Sequence, residues 1–394
     1  MERVHVVIAG GGIAGVTAAL AAAAAGARTV LVRTGPGATA LATGAWTGTP
    51  PGPLRSALAS GGLTLEPAPV PLPHPDGRLV PADVAPSSQV TAGAAVAGAR
   101  TRRVLICGIT GLPWFRPRAL ARLWAAARDA GTTGDPAAPG ETGNSGFATA
   151  MVTVPGTPAA GWAPAALAAL LDRDPDALAD GLHRAAADAG ASHAILPAVV
   201  GLDRHAEVRA ALESDGVVVG EALGVAPSLP GWRLDRALMR ALADAGVETL
   251  HGRARAGFDG GPIVHVSGSA GTTTVRAAAV ILATGRFVGG GIAADPHLRD
   301  PVADLPVRAE SAGRSFRDAS ESLALTVPDR RARQPLLEAG IAADPDPESG
   351  LFIAGDVRRA GGPEPTGLGH AATDGWRVGS EAGRRALEGT AAWR

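Results

Sequence analysis

The chain has 394 residues, 46% of them hydrophobic, with 36 Lys and Arg against 37 Asp and Glu. That length holds two or three domain-sized units with deep apolar cores, and the cancelling charge supplies no global field toward nucleic acid or an anionic bilayer. The single thiol, Cys107, excludes an intramolecular disulfide and falls short of the roughly four Cys ligands of an iron–sulfur cluster, so an electron carrier here has to be organic or reside on another chain.

Residues 4–9 are a β-branched run that ends in Gly10-Gly11-Gly12-Ile13-Ala14-Gly15. Residues 16–25 are rich in helix formers and stop at Gly26, and residues 29–32 give a second apolar strand, which together make one βαβ unit of about 30 residues. Residues 1–8 carry no basic segment followed by a long apolar core, so no secretory leader is predicted, and the run 16–25 is about half the length of a spanning helix. A cytoplasmic protein is expected, peripheral at a membrane only through partners. Residues 35–100, broken by many Pro and Gly, are predicted as loops and short hairpins.

Residues 103–108 read as a buried strand, followed by a helix over 117–130 with Leu120, Leu123 and Trp124 at helical spacing. Further helices are predicted at 172–189 and 234–245, strands at 194–200 and 247–250, and a hairpin from 263–266 and 272–275. A buried strand at 277–282 ends in Ala283-Thr284-Gly285, and one at 351–354 ends at Gly355-Asp356. A Gly-rich loop then leads to a last helix at about 370–387. This order predicts an α/β fold: a discontinuous Rossmann-like FAD/NAD(P)-binding domain from residues 1–60 and 226–394, with an inserted α/β region at 61–225 for substrate or partner.

Gly10, Gly12 and Gly15, with Ala14 between them, follow a strand and open a helix. They let the chain turn sharply, approach a pyrophosphate and present helix N–H groups to it. A ligand-free turn in a Gly-rich chain is the alternative, and the strand–turn–helix–strand order favours dinucleotide or flavin binding. The acidic residue expected at the end of the second strand is missing, and Arg33 stands there. Arg33 meets a ribose phosphate, stacks on adenine, or is a solvated strand end, which leaves FAD and FMN both open. Thr43 and Gly44 lie in a small-residue stretch where a flavin phosphate or ribityl chain would pass; an ordinary loop is the alternative.

Thr284-Gly285 and Gly355-Asp356, in that order after the glycine turn, resemble the two-dinucleotide-domain flavoproteins, in which the late Asp accepts hydrogen bonds from ribityl hydroxyls. The resemblance brings the helix after Gly367 and Gly369 to the flavin pyrimidine, where a positive helix end stabilises a reduced anionic flavin. His370 is then a candidate proton-handling or flavin-facing catalytic group, with a plain helix-cap role as the alternative. Arg286, directly after Ala-Thr-Gly, is the second catalytic candidate, since an Arg fork suits phosphate or carboxylate. Arg116, Arg118, Arg358 and Arg359 also sit beside motifs. Trp114, Phe115 and Phe287 read as core or pocket wall.

A closer resemblance covers most of the chain. The glycine turn, the block Val104-Leu105-Ile106-Cys107-Gly108-Ile109-Thr110-Gly111-Leu112 with Phe115, the block Ala226-Pro227-Ser228-Leu229-Pro230-Gly231 before Arg233-Leu234, and Ala283-Thr284-Gly285-Arg286-Phe287-Val288-Gly289-Gly290-Gly291 look like the B-subunit family of the anaerobic glycerol-3-phosphate dehydrogenase. The resemblance implies a flavin subunit, usually with FMN, working with a catalytic FAD subunit and an iron–sulfur subunit that passes electrons to membrane quinone. Gly355-Asp356 departs from it, because the family can carry a second Gly there, and is closer to ordinary FAD enzymes.

The expected function is therefore a redox subunit carrying electrons from glycerol 3-phosphate oxidation toward quinone. The alternatives are a self-sufficient FAD-dependent dehydrogenase or reductase of a small organic acid, and a flavin-stabilised assembly subunit without turnover. No metal site is expected. Every basic residue is Arg, and Tyr is absent, which excludes Schiff-base lysine and Tyr–Lys dehydrogenase chemistry.

Overall fold

A computed structural model describes residues 2–133, 146–156, 161–258, 260–294, 298–308, 339–341, 347–358 and 367–390. The chain divides into two units: Met1–Thr39 with Gly48–Gly61 and Asp235–Arg394, and Ala40–Thr47 with Gly62–Leu234. The first begins with β1 (Glu2–Ala9), α1 (Ile13–Ala24), β2 (Thr29–Arg33) and α2 (Gly52–Ser60). The second holds α3 (Ser87–Gly98), β3 (Val104–Ile109), α4 (Pro117–Thr133), β4 (Phe147–Val152), α5 (Pro164–Leu171), α6 (Asp176–Ala189), β5 (His193–Leu196), α7 (His205–Leu212) and β6 (Val218–Glu221). Helix α8 (Leu229–Asp244) carries the chain back to β7 (Glu248–His251), β8 (Arg253–Gly257), β9 (Ile263–Gly268), β10 (Gly271–Leu282), β11 (Leu351–Ile353) and α9 (Leu368–Thr390).

In the first unit one sheet runs in the order β7-β2-β1-β10-β9-β8, with β11 also paired to β10. β1 lies between β2 and β10 and is parallel to both, with Val7 opposite Val30 on one side and Val280 on the other. Val6, Val7, Ile8 and Ala9 are all buried, which is why the second half of β1 reads as a continuous apolar run instead of an alternating one. The antiparallel ladder of β8, β9 and β10 alternates: Val264 and Val266 are buried, while His265 and Ser267 are exposed. β10 serves both parts, pairing with β9 in its first half and with β1 and β11 in its second.

Helix α9 lies on α1 along a seam of small residues. A Cβ at Gly375, Gly379 or Gly383 would come within 2.3, 2.2 and 3.1 Å of backbone atoms of Ala14, Ala18 and Ala22. The four-residue spacing on both helices stacks one ridge on the other and lets the backbones approach.

The second unit is built on a four-stranded, all-parallel sheet, ordered β6-β5-β3-β4. Leu105, Cys107 and Ile109 of β3 point to a core shared with α5 and α6, whereas Val104 and Ile106 join Ala92, Val96, Leu120 and Trp124 on the other face. Phe115 is buried edge-on to Trp124, with ring centroids 6.3 Å apart, a core position. Leu123, by contrast, is 48% exposed.

Several expectations need correction. Residues 35–100 hold two helices, α2 and α3. α3 is Ala- and Gly-rich with Ser at its start, so it lacks the apolar stripe that marks a helix in sequence. The helix expected over 172–189 begins at Asp176, past Pro175, and a separate α5 ends at Leu171. The strand expected over 194–200 stops at Leu196, before Pro197. β4 and β6 are strands that the sequence pattern does not mark, and the hairpin strand at 272–275 is the start of the 12-residue β10.

Candidate functional site

The site is built at one edge of the first unit's sheet, where four strand ends are tied side by side. Gly10 N–H donates to Val32 O at 2.9 Å, Ala283 N–H to Ala9 O at 2.8 Å, and Ala354 N–H to Leu282 O at 2.8 Å. These bonds set Arg33, Gly10, Thr284 and Gly355 in a row at the carboxyl ends of parallel strands, the edge at which open α/β sheets take ligands.

The turn between β1 and α1 needs its glycines for separate reasons. Gly10 has φ +129°, and a Cβ there would sit 2.2 Å from Ala283 O; one at Gly15 would sit 1.9 Å from Gly10 O. Gly12 differs, because its backbone is extended and the nearest atom to a Cβ is Thr39 Oγ1 at 3.6 Å. That side of the turn is an open cradle beside the first turn of α1. Thr39, buried, accepts the Ile13 N–H at 3.0 Å; it stands outside the glycine motif, and no spacing rule marks it. The remaining positive end of α1 suits a diphosphate.

Beside the turn stand Thr284, Arg286 and Asp356. Arg286 Nε donates to the Asp356 carbonyl oxygen at 3.0 Å. Thr284 Oγ1, Arg286 Nη2 and Asp356 Oδ1 are buried without a hydrogen-bond partner among the described residues. Burial pushes the Asp356 carboxyl up from its ordinary pKa, with Arg286 opposing, and burial pulls the Arg286 guanidinium down, with Asp356 opposing. This cluster is short of polar partners, which a sugar–phosphate ligand supplies.

Gly355, at φ +71°, would place a Cβ 2.6 Å from Ala14 Cβ, and its N–H donates to Asp374 Oδ2 at 2.8 Å. Asp374, on α9, in turn accepts from Arg377 at 2.8 Å. Asp374 carries no signal in the sequence, because it sits 18 residues beyond the motif it braces, inside a helix, where nothing in local pattern singles it out.

The remaining expected residues are placed as follows. Thr43 and Gly44 belong to the second unit. Thr43 O accepts from Gln89 Nε2 at 2.9 Å and from Gly224 N–H at 2.8 Å, and Gly44 lies at φ +106° against the Gln89 side chain. Gly367 and Gly369 open α9, accepting from Ala371 N–H at 3.1 Å and from the Thr373 hydroxyl at 2.9 Å. His370 is exposed in its first turn. Arg359 and the first part of the Gly-rich loop, residues 361–366, lie outside the described residues. Arg33 is no solvated strand end: it is buried and ion-paired. Cys107 is buried in the second unit with its thiol pushed up to about 12 by burial, so it is unreactive. Among the described residues no His, Cys, Asp and Glu cluster can hold a metal ion.

Residues 5–51 match the family model described as an FAD binding domain. Among solved structures, the chain is similar to OxyS anhydrotetracycline hydroxylase from Streptomyces rimosus, at 14% identity and a TM-score of 0.37, covering 99% of this chain and 63% of that one. It is also similar to 3-ketosteroid-delta4-(5alpha)-dehydrogenase from Rhodococcus jostii RHA1, at 13% identity and a TM-score of 0.34, covering 98% and 97% of the two chains. The p-nitrophenol 4-monooxygenase PnpA from Pseudomonas putida DLL-E4 matches at 13% identity and a TM-score of 0.37, covering 99% of this chain and 82% of that one. The chain thus spans 63% of the length of the OxyS hydroxylase. No curated protein matches it.

Proposed function

We infer that the chain, whose residues 5–51 match an FAD-binding domain on a Rossmann-like sheet, is a flavoprotein of the oxidoreductase class. We propose that it works as an electron-transferring flavin subunit of the kind it resembles in sequence, the B-subunit family of the anaerobic glycerol-3-phosphate dehydrogenase. Its partners in this reading are a catalytic FAD subunit and an iron–sulfur subunit. The observation that carries the flavin assignment is the set of buried, unpartnered atoms Thr284 Oγ1, Arg286 Nη2 and Asp356 Oδ1 beside the glycine turn.

Bound there, FAD supplies a carrier that takes two electrons and releases them singly. The open side of Gly12 and the N-terminus of α1 hold the diphosphate, Asp356 accepts from ribityl hydroxyls, and Arg286 Nη2 donates to a phosphate or flavin oxygen. Arg286 is a positioning residue in this scheme, since its Nε fixes the Asp356 carbonyl. An arginine stays charged and does not relay protons. Thr284, Arg286 and Asp356 therefore form a binding set in this scheme. No described helix is long and apolar enough to cross a membrane, and in this reading the route to quinone runs through the partners.

The test is anaerobic addition of glycerol 3-phosphate to the purified chain, alone and with the two partner subunits. Reduction of the bound flavin only with partners present supports the proposal. Bleaching by glycerol 3-phosphate or another small acid in the isolated chain shows an independent dehydrogenase instead.

A further inference from the structure

The end of β2 is where this kind of fold places an adenosine ribose, held by a carboxylate on that strand. Here the strand ends in Arg33, and the carboxylate comes from elsewhere. β7 runs parallel to β2 with His251 opposite Arg33, so α8, which leads into β7, lies beside that strand end. Asp235 and Met239, one turn apart on α8, both reach Arg33: Nη2 donates to Asp235 Oδ1 at 2.9 Å, and Nη1 contacts Met239 Sδ. The two side chains of the ion pair are only 5% and 11% exposed.

Arg33 also packs against Gly11 of the glycine turn. A Cβ at Gly11 would come 2.6 Å from Arg33 Cβ and 2.9 Å from its Nε. That Nε is buried and has no hydrogen-bond partner among the described residues, so a desolvated N–H donor stands beside the loop that opens α1.

We propose that the Arg33–Asp235 pair reads the adenosine half of the dinucleotide, with Asp235 accepting from the vicinal ribose hydroxyls and Arg33 Nε donating to a ribose or phosphate oxygen. The inference rests on the FAD reading of the same site and names the residues that select its nucleotide. Burial raises the Asp235 carboxyl above its ordinary pKa in spite of Arg33 and Arg236, which fits this role, since hydroxyl donors favour the ionised form.

The test uses the full apoprotein titrated with FAD, FMN, ADP and NADP, followed by calorimetry and flavin fluorescence, so that no turnover is needed. Wild type is expected to bind FAD at least tenfold more tightly than FMN, and ADP is expected to compete with FAD. Asp235→Asn should lose about tenfold for FAD and ADP, leave FMN unchanged, and shift the ADP-to-NADP preference toward NADP. Because Asp235→Asn leaves a buried guanidinium uncompensated, Arg33→Met with Asp235→Leu serves as a second variant; it should bind FMN as wild type does and FAD no better than FMN. Equal loss of FAD, FMN and ADP in both variants, or no loss of any, overturns the inference. A wild type that binds FMN as tightly as FAD and ignores ADP overturns it while leaving the flavin reading intact, whereas binding of ADP without any flavin overturns the flavin reading alone.

Discussion

Gly379 of α9 approaches Ala18 of α1 so closely that a Cβ on it would lie 2.2 Å from the Ala18 carbonyl oxygen. That oxygen is helix backbone and cannot swing aside, so the seam is closed to any larger residue. Gly379→Ala should cost about 1–3 kcal/mol, the range for overpacking a well-fitted core, and Gly379→Val more. Urea denaturation of the full chain measures it. An unchanged midpoint for Gly379→Val would mean that the two helices do not meet as described.

Gly12 and Gly10 are expected to behave oppositely, although both belong to one motif. Gly12 has ordinary extended backbone, and a Cβ there would meet only Thr39 Oγ1 at an ordinary 3.6 Å, so Gly12→Val should fold at near wild-type stability and lose FAD. Gly10→Val should lose stability outright, because φ +129° and the 2.2 Å approach to Ala283 O both forbid a side chain. Thermal melts and cofactor content of the two variants, side by side, check this.

Asp356 makes flavin affinity depend on pH. Its carboxyl is pushed up by burial in the free protein, and hydroxyl donors from a ligand favour the ionised form, so binding FAD lowers its pKa and releases a proton. Affinity should then be highest above the raised value and fall as pH drops through it. Asp356→Asn should bind FAD roughly tenfold more weakly at neutral pH, by about the 1–2 kcal/mol of a charge-assisted hydrogen bond, and lose this dependence. FAD titrations of both proteins from neutral pH through the carboxylate range give the answer, and parallel curves would remove Asp356 from the site.

In the second unit the sign reverses. Glu221 is fully buried, which alone would raise its pKa, but the Arg233 guanidinium at 2.7 Å, His205 and the Val200 N–H hold it below the ordinary glutamate range. Its folded pKa is depressed, so its contribution is complete above the unfolded value and is lost as pH falls through the folded one. Hydrogen-exchange protection of the Val200 amide should drop over that acid window. Glu221→Gln, which strands Arg233, should cost about 3–5 kcal/mol; a cost under 1 kcal/mol would contradict this role.

How much of this is legible in the sequence depends on whether the signal is local. β1, the glycine turn, α1 and β2 follow one another within 33 residues, and a buried parallel strand announces itself as an apolar run. The row of strand ends is readable for the same reason, since Thr284 and Asp356 closely follow such runs. The partners of these residues are not. Asp235 lies 202 residues from Arg33 in sequence, and Thr39 and Asp374 sit in segments with no motif. Thr43 and Gly44 follow β2 closely in sequence, and the chain enters the second unit at Ala40. α3 is invisible to the pattern because its buried positions, Ser88, Gln89, Ala92, Gly93, Ala95 and Val96, keep helical spacing but are mostly small or polar, so no apolar stripe shows.

The most direct test of the account is the visible absorption spectrum of the purified chain, with chromatography of whatever cofactor it releases. A yellow protein that releases FAD is expected. A colourless chain that FAD does not reconstitute would contradict it.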